Sequence, residues 1–190
     1  TGRYMDVPNN QAIQCEACAP GYYADREGQV ACRACLPGRA NPSSLSFSAD
    51  ACIECAPGTA AGKGAAECSE CVAGTFTLAR GGANYCELCP AGMFGSKPGQ
   101  TDPDAACQNC PKGRYGSSKG LSYACDDCPA GTYSSREKLT RPTQCAHCPP
   151  GRFSPAPGST QQSVCTMCGI GFHAPATGLA SCFACDAGRY

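Results

Sequence analysis

Every one of the twenty cysteines in this 190-residue chain belongs to a Cys-x-x-Cys pair: 15/18, 32/35, 52/55, 68/71, 86/89, 107/110, 125/128, 145/148, 165/168 and 182/185. Successive pairs begin 16 to 21 residues apart. Three residues after the second cysteine of every pair stands a glycine: Gly21, Gly38, Gly58, Gly74, Gly92, Gly113, Gly131, Gly151, Gly171 and Gly188. Two residues further on, seven of the ten positions are aromatic: Tyr23, Phe76, Phe94, Tyr115, Tyr133, Phe153 and Tyr190. Ala40, Ala60 and His173 take the other three. Self-similarity at so short a period marks one tandem array rather than separate domains. Its parts are a partial repeat over 1–14, Cys-pair repeats over 15–185, and the opening of another repeat over 186–190, so both ends read as cut from a longer array.

Composition says what such an array lacks. Leu, Ile, Val and Phe together make about a tenth of the chain, and there is no Trp. A chain that poor in large apolar side chains cannot offset its backbone entropy by burial alone. Twenty Cys is above the roughly 8–10% level of a disulfide scaffold. Such a scaffold belongs in an oxidising setting: outside the cell, on its surface, or in the secretory lumen. The formal net charge is zero, which argues against nucleic acid or a polybasic membrane contact, since both need a positive excess. No apolar run approaches the ~20 residues that cross a bilayer, and no signal peptide opens the chain, so export would be directed from outside this window.

The chemistry of one repeat is readable residue by residue. Pro or Ala precedes the glycine in most repeats, as in Ala19-Pro20-Gly21 and Leu36-Pro37-Gly38. Proline fixes φ and glycine accepts φ > 0, the requirements of a type II turn. The aromatic after the turn is expected to lie over the neighbouring disulfide as a miniature core. Polar residues such as Ser134-Ser135-Arg136-Glu137-Lys138 return the chain to the next cysteine. The expected fold class is small and disulfide-rich: an elongated tandem array of short β-hairpin and loop modules, with little helix and a minimal hydrophobic core.

Three connectivities are open, because spacing does not fix pairing. In the first, the second cysteine of each pair bonds the first of the next: Cys18–Cys32, Cys35–Cys52, Cys55–Cys68, Cys71–Cys86, Cys89–Cys107, Cys110–Cys125, Cys128–Cys145, Cys148–Cys165 and Cys168–Cys182. Cys15 and Cys185 then bond partners outside the window. In the second, pairs interlock in twos. In the third, each Cys-x-x-Cys closes on itself in a strained ring typical of redox sites. Each loop of the first scheme contributes roughly 3 kcal/mol in the chain-entropy model, enough in sum to replace the missing core.

The run Cys15-Glu-Ala-Cys18-Ala-Pro-Gly21-Tyr22-Tyr23 resembles the last loop of a laminin-type EGF module. Cys125-Asp-Asp-Cys128-Pro-Ala-Gly131-Thr-Tyr133 and Cys145-Ala-His-Cys148-Pro-Pro-Gly151-Arg-Phe153 are more similar to the ephrin-receptor-like cysteine-rich repeat, of the EGF and TNF-receptor-like kind. That resemblance covers essentially the whole chain. It implies small tandem modules in secreted or surface proteins, and it implies no binding site, because the shared residues are scaffold. The analogy with one-loop EGF modules favours the first connectivity. Ala40, Ala60 and His173 depart from the family pattern, so weaker or displaced aromatic packing is expected there.

Other chemistries fit less well. Cys-x-x-Cys spacing suits zinc ribbons, but zinc knuckles commonly place Gly directly after the second cysteine, which only Cys168 has. Tetrathiolate sites would add negative charge with no basic excess to answer it. A thioredoxin-like site needs a helix and a βαβ pattern, which are missing. His147 and His173 occupy non-equivalent positions and read as solvated side chains. Asp102/Asp104 and Asp126/Asp127 fit no EF-hand and read as solvated turns. Arg136, Lys138 and Arg141 read as an exposed charged edge. Loops such as Pro42-Ser43-Ser44 and Ser154–Thr160 are candidate O-glycan carriers, although an ordinary polar loop is the simpler reading.

The expected protein is therefore not an enzyme and has no cofactor and no catalytic or metal site. It is a structural extracellular or cell-surface component, a rod-like spacer or a fibre or filament element of a coat, matrix or appendage such as a flagellar surface fibre. The alternative is the stalk or ligand-binding ectodomain of a receptor or adhesin. Expected partners are other proteins or copies of itself in an extracellular assembly, with glycans in addition, and neither nucleic acid nor direct membrane insertion. The variable loops show no concentrated aromatic or basic patch of the kind hot spots require.

Overall fold

Each repeat starts from its turn. In the computed structural model, which describes residues 3–5, 15–78 and 81–189, Tyr22 N–H donates to the Ala19 carbonyl across Pro20-Gly21 at 3.1 Å. The same bond recurs at all ten turns, from 3.0 to 3.2 Å. The ten turn glycines have φ between 76° and 86°, as the second central position of a type II turn demands.

The two residues after the glycine then form a short strand. It pairs with the two residues enclosed by the next cysteine pair, for example Arg114↔Asp127 and Tyr115↔Asp126, or Thr132↔His147 and Tyr133↔Ala146. The described residues form ten such two-stranded sheets. Arg3–Met5 pairs with Cys15–Ala17 in the same register, Arg3↔Ala17 and Tyr4↔Glu16. In eight repeats the second cysteine's N–H closes the hairpin by donating to the turn glycine's carbonyl, as Cys128 does to Gly113 at 2.8 Å.

Nine disulfides join the second cysteine of each pair to the first of the next, from Cys18–Cys32 to Cys168–Cys182. This is the first of the three connectivities. With the sulfurs bonded to one another, the facing knuckles of a zinc ribbon do not form. The loops span 13 to 18 residues, and among the described residues helix occurs only in the four longest. Ala49–Ala51, Pro142–Gln144 and Gln162–Val164 are single 3₁₀ turns and Pro103–Ala106 is a single α-turn, each ending directly before a cysteine. Surplus chain is thus wound into one turn that keeps the cysteine in place. Cys52 N–H closes such a turn on the Ala49 carbonyl at 3.0 Å.

The core is a row of sulfurs. The second cysteines from Cys18 to Cys148 are at most 1% exposed. Among the large apolar side chains described, only Phe76 and Leu139 are buried. Asn41 is also buried, its Nδ2 donating to the Tyr22 carbonyl at 3.1 Å and to Ser46 Oγ at 2.8 Å. By internal contacts the chain forms two compact units. One comprises Thr1–Glu87 with Lys97–Ala105, and the other Leu88–Ser96 with Ala106–Tyr190.

Candidate functional site: the seams between repeats

Hairpins this short do not stand alone in water. Within each unit, three kinds of backbone hydrogen bond stitch one repeat to the next. Between the repeats of Gly113 and Gly131, Gly113 N–H donates to the Ser134 carbonyl at 2.9 Å. Gly116 N–H donates to the Leu139 carbonyl and Lys138 N–H returns to the Cys110 carbonyl, both at 2.9 Å. Eight seams carry the second and third of these bonds, between 2.8 and 3.2 Å. At Gly58 the first is made to Thr77 Oγ1 instead of a carbonyl, at 2.8 Å. Because the seam, apart from the Thr77 hydroxyl, is main chain to main chain, side chains elsewhere are free to vary without loosening it.

The turn glycine also meets the repeat two further on. A Cβ on Gly113 would overlap the Gly158 carbonyl, and one on Gly92 would lie 2.7 Å from the Lys138 carbonyl oxygen. Gly21, Gly38, Gly58 and Gly131 face Gly64, Gly82, Gly99 and Gly178 in the same way. Gly151, Gly171 and Gly188 would meet nothing within 4 Å, so there only the turn conformation calls for glycine. These facing residues belong to a second left-handed position that recurs in nine repeats among the described residues, which the reading of the sequence missed. It is glycine except at Leu45 and Lys138, both with φ 60°. Its signal was present: a second glycine stands seven residues after the first at Gly28, Gly99, Gly120, Gly158 and Gly178.

The aromatic positions lie in these seams. Tyr115 packs against the next repeat's Cys128–Cys145 bond together with Leu139, and its backbone bridges in parallel to Leu139. Phe76 is buried, while Tyr23, Phe94, Tyr133 and Phe153 are half-buried; Tyr190 lies outside the described residues. Ala40, far from being loosely packed, is 4% exposed and sits with Ala61 against Cys55 and Cys68. The loop it covers is the shortest, 13 residues, and a small side chain fits over it. Ala60 is likewise buried. His173 is exposed, with its ring centroid 6.2 Å from that of Phe183 and its Nδ1 3.9 Å from Cys185 Sγ.

The other flagged residues fall into place individually. Asp126–Asp127 is a strand rather than a turn, because both residues lie between cysteines and pair with the preceding hairpin. Asp127 Oδ1 accepts a 2.8 Å ion pair from Arg114 Nε. Asp104 N–H donates to Asp102 Oδ1 at 2.9 Å, opening the turn at Pro103. Arg136, Lys138 and Arg141 are exposed. Cys15 is exposed, Cys185 is half-buried, and neither is bonded to another cysteine of these 190 residues. No helix among the described residues is long and apolar enough to cross a membrane.

Comparison with known proteins agrees with this construction. The family model described as tyrosine-protein kinase ephrin type A/B receptor-like matches residues 2–56, 58–105 and 117–165. The mouse protein "Sushi, von Willebrand factor type A, EGF and pentraxin domain-containing protein 1" is 35% identical over 92 residues, 48% of this chain and 3% of its own length. Its rat counterpart is 34% identical over a stretch of the same extent. These matches are to cysteine-rich repeat modules of the extracellular type, and the chain spans only a few hundredths of the relatives' length. With its model covering most of the sequence in three successive stretches, the chain belongs to the ephrin type A/B receptor-like family of cysteine-rich repeats.

Proposed function

We propose that this segment is a structural element of an extracellular or cell-surface protein: an elongated spacer, or a fibre or filament component of a coat, matrix or appendage. The observation that carries this reading is the seam. The same backbone bonds join repeat after repeat, and a disulfide locks each loop on either side of them. Units that bond chiefly to their neighbours build quasi-one-dimensional assemblies. The small matched fraction of the mouse and rat relatives supports the role of a segment within a larger protein. Partners on this reading are other proteins of the assembly or further copies of the chain.

Immuno-gold labelling of intact, unpermeabilised cells with an antibody against this segment tests it. Label along a surface coat or fibre is the expected result. Label confined to the cell interior would overturn it. Solution scattering tests the shape: a radius of gyration near the ~16 Å of a compact globule of this length would rule out the elongated spacer.

A further inference from the structure

The hairpin of Tyr22 and Tyr23 departs from the scaffold. Most other repeats carry Arg or Thr directly after the turn glycine, yet here a tyrosine stands 38% exposed. Leu36, directly after Cys35, is 69% exposed where Ala or Pro stands in most repeats. Val72 and Phe172 are also exposed at these two positions, 67% and 53%, but only in this hairpin does an exposed aromatic after the turn glycine occur together with an exposed leucine after the following cysteine pair, a combination the shared scaffold does not require.

These residues line one open hollow of about 640 Å³, walled by Tyr22, Tyr23, Arg33, Ala34, Leu36 and Lys63. A second open hollow of about 330 Å³, lined by Ala17, Ala19 and Ala31, shares Tyr22 with the first. Lys63 comes from two repeats further on. It arrives because the carbonyl of Gly64, the next residue, rests on the turn at Gly21, and Gly64 lies under the Tyr22 hydroxyl. Arg33 Nη1 donates to Asp25 Oδ2 at 2.8 Å, which orients the guanidinium and leaves its other N–H groups available.

The charged groups on the wall of the larger hollow, Arg33 and Lys63, are both cationic, and the remainder is aromatic, aliphatic or the sulfur of the Cys18–Cys32 disulfide. The N–H and carbonyl of Tyr22 are already taken by the Ala19 carbonyl and Asn41 Nδ2, so the strand has no free main-chain group at Tyr22 to offer a peptide. A pyranose bearing a carboxylate matches such a wall. Its flat C–H face covers a tyrosine ring while its carboxylate takes charge-assisted hydrogen bonds from the edge. We propose that this hollow binds the carboxylated sugar of a glycan, with Tyr22 and Leu36 as the apolar platform and Arg33 and Lys63 as the carboxylate's partners.

Titration of the 190-residue chain with 3′-sialyllactose and with a glucuronate-terminated disaccharide, followed by amide chemical shifts, tests this, with lactose as the neutral control. Saturable shifts at Tyr22, Arg33 and Lys63 with at least one acidic sugar, and none with lactose, are expected. Tyr22→Ala and Lys63→Glu should each weaken binding at least fivefold, and Lys63→Arg should retain it. Lys63 is exposed, so its variants test the site without disturbing the turn. Absence of saturable binding to both acidic sugars would overturn the proposal, as would binding unchanged in both variants or equal binding of a polyglutamate peptide. Any of these failures would leave the structural role standing.

Discussion

Glycine serves two separable purposes at the turn, and two positions isolate them. Gly151 has φ 77° with open space where a Cβ would go, while Gly113 has φ 76° with the Gly158 carbonyl in that place. Gly151→Ala is expected to cost about 1–2 kcal/mol, the strain of a left-handed L-residue. Gly113→Ala adds an overlap that no side chain can relieve, about 1–3 kcal/mol more. Denaturant midpoints of the two variants should differ accordingly; equal midpoints would mean that contacts two repeats apart contribute nothing. The converse change applies where an L-residue already holds the left-handed position. Lys138→Gly relieves strain against a more entropic unfolded chain and should be neutral to stabilising by about 0.5 kcal/mol. Asn41→Ala acts by another route. It leaves the Tyr22 carbonyl and Ser46 without the buried amide and should cost about 1–3 kcal/mol in the same assay.

One disulfide loop with its hairpin is too small to hold itself together, so its stability is shared across a seam. Cys128–Cys145 closes a 17-residue loop, carries Leu139 against it, and supports Tyr115 of the preceding repeat. Replacing both cysteines by alanine should cost about 3 kcal/mol in the chain-entropy model. The loss should remain local: native-state hydrogen exchange should show Gly116 and Lys138, whose N–H groups make that seam, losing protection, while Cys35 keeps its own. Uniform loss along both units would mean that the chain folds as one cooperative body instead. Much at this scale was legible in the sequence. Cysteine spacing, the turn glycine and the aromatic two residues later together specify a hairpin and a loop, because each is a requirement local in sequence. The helical turns in the four longest loops were not read from the sequence: caps stand at two of them, Ser48 and Asp102, but a single turn has no apolar periodicity to tell it from an ordinary polar turn. The strand at Asp126–Asp127 was hidden for a similar reason: a two-residue strand carries no alternation to detect.

At the scale of the molecule, what sequence reading lacked was the relation between repeats one and two steps apart. The second left-handed position recurs with less regular spacing than the first and is glycine at seven of nine places, and its purpose appears only when Gly158 is seen lying on Gly113. The hollow at Tyr22 was invisible for the same reason, as Lys63 stands 41 residues from its neighbour in space and only the fold brings them together. Both relations hang on sulfur. Phe76 and Leu139 are the only large apolar side chains buried among the described residues, and two such side chains cannot hold a chain of 190 residues against its entropy. Full reduction at neutral pH, without denaturant, is therefore expected to unfold the whole chain. Its radius of gyration should rise toward the roughly 47 Å of an unfolded chain of this length, and amide protection should vanish. Chelators should leave the oxidised protein unchanged, because the nine sulfur pairs bond to each other rather than to metal. A reduced, alkylated chain that retained its amide protection would show that the backbone seams suffice alone, and the disulfides would then be a consequence of the fold rather than its cause.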